Sequence, residues 1–258
     1  MVKGLYTAYT GMLNEQKRMD IITNNMANTD TTGFKKEGVT AQAFDEVMAD
    51  RLKDFSTPGI DPHRIGNVSL GVKIGEVYTD WSEGPLKNTN NVYDFALTDR
   101  GFFTISYTDK EGVTSTMYTR DGNFELTSTG FLVTQDGDFV LGTDGNAIQL
   151  NPLLETSIDD SGTLYQNGTR VAQLQITDFA DYDYLEKYGE NFYRPVEGAT
   201  LQDADAKVLQ GYLETSNVNT VTEMVNLIAI SRNYETNQKL IQTYDDSLQI
   251  TANQIGKL

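Results

Sequence analysis

The stretch that decides the fold is residues 220–255, TVTEMVNLIAISRNYETNQKLIQTYDDSLQITANQI. Leu227, Tyr234, Ile241, Leu248 and Ile255 fall seven residues apart, and Ile230 and Tyr244 follow two of them by three. That is the heptad spacing of a helix with one narrow apolar seam. Thr220 and Glu223 form a capping box at its start, and no Gly or Pro interrupts it. Such a helix is roughly 50 Å long at about 1.5 Å per residue. One stripe of this length cannot bury itself, so the helix needs a partner.

Working outward, the opposite end of the chain carries a second seam. Leu5, Met12, Met19 and Met26 also recur at seven, with Ala8 and Ile22 three residues after Leu5 and Met19; Glu15 stands where another apolar residue is due. The run stops in Asn24, Asn25, Asn28, Thr29, Asp30, Thr31, Thr32 and Gly33, residues that favour caps and turns over helix interiors. Gly33 is expected to supply a backbone angle or a close approach that a side chain forbids.

Between the ends the period changes to that of strands. Asp121-Gly122, Asp136-Gly137 and Asp144-Gly145 read as hairpin turns in which glycine takes a positive φ. The runs 124–126, 131–134 and 139–141 have strand length and composition. A helix is expected over Ala41–Leu52, with Phe44, Val47 and Met48 on one face, followed by an extended loop over Phe55–Asn67 that holds Pro58, Gly59, Pro62 and Gly66. The resulting expectation is an α+β protein: a discontinuous N- and C-terminal α-helical, coiled-coil domain plus a central, mainly antiparallel β domain. Its divisions fall at 1–30 (first helix), 31–70 (connecting segment), 71–215 (β domain) and 216–258 (last helix).

Composition excludes several functions. A chain of 258 residues has room for a sizeable core. A net charge of −17 disfavours nucleic acid. There is no cysteine, hence no disulfide, thiolate chemistry or Cys-based metal site. No apolar run is long enough for membrane insertion, and Asn14–Arg18 interrupt any secretory signal pattern. Composition alone therefore reads as a soluble protein.

The chemistry-bearing patterns are weak. The single histidine, His63, lies in a Pro- and Gly-rich stretch with no base or nucleophile beside it. Neither a Gly-x-Ser-x-Gly elbow nor a phosphate-binding glycine loop occurs. Asp178, Asp181, Asp183 and Glu186 cluster, but an EF-hand starting at Asp181 places Glu186 where glycine is required. Asp136–Asp138, Asp144 and Asp159–Asp160 read as turn residues. No catalytic, cofactor or metal residue is assigned, and the expectation is not an enzyme.

Specific residues resemble a family. Asn24-Asn25-Met26-Ala27-Asn28 with Thr31, Gly33, Phe34 and Lys35 is similar to the N-terminal signature of flagellar rod and hook axial proteins. Asn90-Asn91, Asp94–Leu97, Gly101-Phe102-Phe103, Tyr118-Thr119-Arg120-Asp121-Gly122 and Phe124 are similar to the family's β segment. Gly211–Asn219, including Leu213, Glu214, Ser216, Asn217 and Val218, resembles the approach to its last helix, and Met224, Asn226, Ile228, Arg232, Tyr234 and Glu235 fit that helix. Within the family the chain most resembles the distal rod class, with the proximal rod class second; Lys53–Asn67 departs from the distal pattern. The resemblance implies a structural subunit of the bacterial flagellar basal body. It would be exported without a cleaved signal through the flagellar type III apparatus, lie outside the cytoplasm, and assemble with copies of itself and neighbouring rod and hook proteins into a hollow torque-transmitting tube. The alternatives are a proximal-rod or hook-like axial protein, a secreted oligomeric adhesin with a β-rich binding domain, and a carbohydrate-active β-domain enzyme.

Overall fold

The computed structural model describes residues 2–51, 63–69 and 71–255. The protein is α+β, with a long helix at each end and antiparallel strands between. Its residues fall into two compact units. The helical unit takes residues up to Met26, those described between Glu37 and Asp80, and the chain from Thr220; the β unit takes Ala27–Lys36 and Trp81–Asn219.

In the helical unit, α1 spans Val2–Ala27 and α2 spans Thr220–Ile255. They run antiparallel, because Gly4 sits against Tyr244 while Gly11 sits against Asn237. Among the described residues, no helix is long and apolar enough to cross a membrane. Two β ribbons complete this unit. Glu37–Ala43 pairs with Val72–Thr79, with a bulge between Val39 and Ala41, and Val47–Arg51 pairs with His63–Val68.

These ribbons correct the helix expected over Ala41–Leu52. Phe44, Val47 and Met48 have helical spacing, but Ala41, Gln42 and Ala43 pair with Ile74, Lys73 and Val72. Pairing with a β-branched strand remote in sequence overrides a weak local preference for helix. Phe44 and Met48 are exposed, so no helical apolar face is buried there. The expected loop is corrected in part: His63–Asn67 is strand, whereas Leu52, Phe55, Pro58, Gly59 and Pro62 lie outside the described residues.

The β unit is built on a nine-stranded antiparallel sheet. Its main path runs 185–188, 192–195, 114–119, 102–108, 139–140, 132–134, 124–126; the strand 176–179 joins 102–108 and carries 201–203. A three-stranded sheet covers 156–173, and two short pairs join 95–98 to 207–210 and 86–88 to 212–214. Successive strand residues point to opposite faces, and Phe102 and Phe103 divide accordingly. Phe103 enters the large aliphatic core with Phe95, Phe124, Leu132 and Leu164. Phe102 joins Tyr118, Phe179 and Tyr193, against which Trp81 packs.

The glycine turns divide too. Gly137 (φ 94) and Gly145 (φ 72) have the expected positive φ. Gly122 does not; it is needed because a Cβ there would collide with the carbonyl oxygen of Phe95, whose own N–H donates to Gly122 O at 3.0 Å.

Candidate assembly surface and the junction of the β unit

The α2 seam faces inward for most of its length. Ile230 is buried, and Leu227, Tyr234, Ile241 and Tyr244 are half-buried, as is Asn237 at the heptad position between Tyr234 and Tyr244. Leu248 is exposed, and for Ile255 only the backbone is described. On α1, Leu5, Met12, Met19, Ile22 and Met26 are half-buried, while Ala8 and Ile21 are fully buried. The two seams lie in one unit, where Tyr244 and Asn237 of α2 reach Gly4 and Gly11 of α1. Sequence reasoning passed over Gly4 and Gly11, where the Tyr244 ring and the Asn237 amide of α2 reach onto α1. The available signal was their seven-residue spacing, which matches that of Asn237 and Tyr244.

The two helices also bury polar side chains. Asn14 is buried, and its Oδ1 accepts no hydrogen bond among the described residues. Glu223 and Asn25 are buried as well. Asn25 clasps Glu37 at both ends of its side-chain amide: Nδ2 donates to Glu37 O at 2.8 Å and Oδ1 accepts from Glu37 N at 2.9 Å. The Asn-rich stop of α1 therefore anchors the first ribbon. Meanwhile large apolar side chains face solvent. On α2 these are Val221 (72% exposed), Val225 (61%), Ile228 (55%) and Met224; on α1, Tyr6 (55%), Tyr9 and Leu13. Val221, Val225 and Ile228 are spaced i, i+4, i+7, one continuous face. Tyr6, Tyr9 and Leu13 make a second face by the same rule.

In the β unit, residues from three distant parts of the sequence converge. Asn28 and Thr31 bond side chain to side chain at 3.1 Å. Thr32 Oγ1 donates to Asp121 Oδ1 at 2.6 Å, and Asn191 Nδ2 donates to Asp121 Oδ2 at 2.9 Å. Burial raises the Asp121 carboxyl above its ordinary value, against the pull of these bonds. Gly33 has φ 67, and a Cβ on it would strike the backbone of Arg120 and Asp121. Phe34 is buried beneath Lys187, whose Nζ lies 3.8 Å from the ring centroid. Asn217 Oδ1 accepts from Lys36 N at 2.8 Å, and its Nδ2 donates to Ser82 O at 3.1 Å. Leu213, Ser216 and Val218 are buried beside it in the chain. Gly101 (φ 149) lets Ala204 and Ile176 approach.

At the centre lie three charges that sequence reasoning did not connect. Glu214 Oε1 accepts from Lys35 Nζ at 2.6 Å and from Gly84 N at 2.9 Å; Glu214 Oε2 accepts from Arg120 Nη1 at 3.4 Å. Lys35 Nζ also donates to Ser82 O at 2.8 Å. The side chains of Lys35, Glu214 and Arg120 are 1%, 2% and 4% exposed. Burial lowers the Lys35 pKa below its ordinary value, while Glu214 opposes the shift. Arg120 also donates to the Leu97 and Asp99 carbonyls, and among the described residues its Nε meets no acceptor.

The acidic loops have structural work. Asp181 caps a short 3₁₀ turn by accepting from Asp183 N, Asp159 accepts from Asp160 N at 2.8 Å, and Asp178 accepts from Tyr182 at 2.6 Å. Asp136 and Asp138 line a cavity of about 810 Å³ with Asp30, Asp121 and Glu190. Among the described residues, no three acids or histidines gather as metal ligands.

Three family models match in the same order along the chain: flagella basal body rod protein over residues 5–35, the flagellar hook protein FlgE/F/G D1 domain over 96–166, and the flagellar basal body rod FlgEFG protein C-terminal region over 209–255. The chain is 34% identical to the flagellar basal-body rod protein FlgG of Bacillus subtilis, covering 98% of this chain and 99% of that one. It is 32% identical to the flagellar basal-body rod protein FlgF of Caulobacter vibrioides, with both chains covered completely. The chain belongs to the flagellar basal-body rod protein family and is a structural rod subunit.

Proposed function

We propose that the chain is a distal-rod subunit that polymerises with copies of itself and adjoining rod and hook proteins into a hollow tube carrying torque from motor to hook. It reaches that position outside the cytoplasm through the flagellar type III apparatus, without a cleaved signal. The observation that carries the reading is the pair of exposed apolar faces, Val221–Val225–Ile228 on α2 and Tyr6–Tyr9–Leu13 on α1. They lie on different helices, so a contact between them joins unlike surfaces of two copies. Such a head-to-tail contact, when it does not close, generates an open helical filament. The distal position is supported by the likeness to FlgG proteins. Electron microscopy of basal bodies from a strain lacking this gene tests both parts. A rod that keeps its motor-side portion but ends early is expected; an intact rod refutes the assignment, and loss of the motor-side portion refutes the distal position.

The same faces bear on the free subunit. With polar side chains buried and apolar faces exposed, the helical pair gains order from neighbours, as isolated helices are marginal. Hydrogen exchange on dilute monomer is expected to show weak protection of α1 and α2. Full protection of both there would refute this.

A further inference from the structure

We propose that the Lys35–Glu214–Arg120 cluster is a closing latch, which keeps the β unit from taking its packed form until its final strand, Tyr212–Glu214, is in place. This goes beyond the rod assignment and does not depend on it.

The reasoning is electrostatic. The cluster holds two cations and one anion, all almost fully buried. Burying a charge is tolerable when it is paired and very unfavourable when it is not. Arg120 precedes Glu214 by 94 residues, and Lys35 precedes it by 179. A chain emerging from its N-terminus therefore presents both cations long before their common counter-charge. A β unit packed without Glu214 would bury Lys35 and Arg120 together with no carboxylate bonded to either, leaving the Ser82 carbonyl for Lys35 and the Leu97 and Asp99 carbonyls for Arg120. Burial already pulls Lys35 down, with Glu214 as its main opposing influence.

Glu214 also sits where such a latch must. Its strand pairs with Leu86–Asn88, its carboxylate accepts the Gly84 N–H, and its carbonyl accepts the Gly33 N–H at 2.8 Å. A single residue thus engages the first segment of the β unit, its second segment and, through Arg120, the main sheet. Nothing in packing alone requires ions here. Apolar side chains of similar volume commonly serve buried positions as well or better, but they would let a partial chain collapse.

The test uses the full chain with hydrogen exchange across the β unit. Glu214→Gln leaves the cluster with two cations and no anion. It is expected to lower protection by about a hundredfold or more throughout the β unit, including 95–98 and 102–108. Lys35→Met leaves a balanced Arg120–Glu214 pair and is expected to lower protection less than about tenfold. The triple variant Lys35→Met/Arg120→Met/Glu214→Gln removes all three buried charges together and is expected to recover most of the loss. If Glu214→Gln opens only residues near 212–216, the cluster is a local tie and the latch is wrong. If the triple variant is as unprotected as Glu214→Gln alone, or is unfolded, an unpaired buried charge is not the cause and the proposal falls.

Discussion

The backbone N–H of Gly33 donates to the carbonyl of Glu214 at 2.8 Å, joining the residues that follow α1 in the chain to those that precede α2. Gly33 holds φ 67 to do so, with the Arg120–Asp121 backbone where its side chain would be.

Gly33→Val is therefore expected to destabilise the β unit itself. The close approach of the Arg120 and Asp121 backbone places the cost of a side chain at Gly33 within that unit. A β-branched residue at positive φ adds strain of about 1–3 kcal/mol before any clash. A lowered midpoint for the β-unit transition in calorimetry, together with lost motility, is the expected result. An unchanged midpoint would show that the backbone relaxes.

Two glycines in neighbouring turns should respond differently. Gly122→Ala meets the carbonyl of Phe95 and is expected to destabilise by more than about 2 kcal/mol. Gly137→Ala meets only open space but keeps φ 94, so about 1 kcal/mol is expected. Gly137→Asn is expected to be milder still, since Asn tolerates that region. Denaturant titration of the three variants gives the order directly.

Val225→Asp and Tyr9→Asp test the exposed faces. Surface changes of this kind usually shift monomer stability by no more than about 0.5 kcal/mol. Both variants are expected to fold as monomers, to be incorporated poorly into rods and to impair swimming. Normal motility in both would remove these faces from the assembly.

Lys35 predicts a pH dependence with a definite sign. Its folded pKa lies below the ordinary 10.5, so the unfolded chain binds the proton more tightly. Stability from this group is present above 10.5 and is lost as pH falls through the folded pKa. The stability difference between wild type and Lys35→Met should accordingly shift in favour of wild type as pH approaches 10.5. Denaturant midpoints of both proteins across alkaline pH measure it; a flat difference would mean that Lys35 titrates normally.

The helices were legible because their signal is local and repeats: Leu227, Tyr234 and Ile241 announce one face without reference to the rest of the chain. The ribbon at Ala41–Arg51 was misread because Phe44, Val47 and Met48 carry helical spacing, while the strands that decide the matter, 63–68 and 72–79, lie later. The motif residues Gly33, Arg120 and Glu214 were singled out by resemblance, but their meeting was not legible. Three charges in a chain with 20 basic and 37 acidic residues offer many pairings, and separations of 94 and 179 residues hide the true one. Gly122 shows the same limit, since the carbonyl it accommodates belongs to Phe95.

The glycine contacts between α1 and α2 have a consequence for how the helices can slide. Gly4 meets Tyr244 and Gly11 meets Asn237. Moving one helix along the other by a single heptad, about 10.5 Å, would set Gly11 under Tyr244 and Thr251 beside Gly4. The tyrosine then finds a glycine again, and at intermediate positions it does not. The pair is commensurate with itself at two settings, like a rack with two teeth.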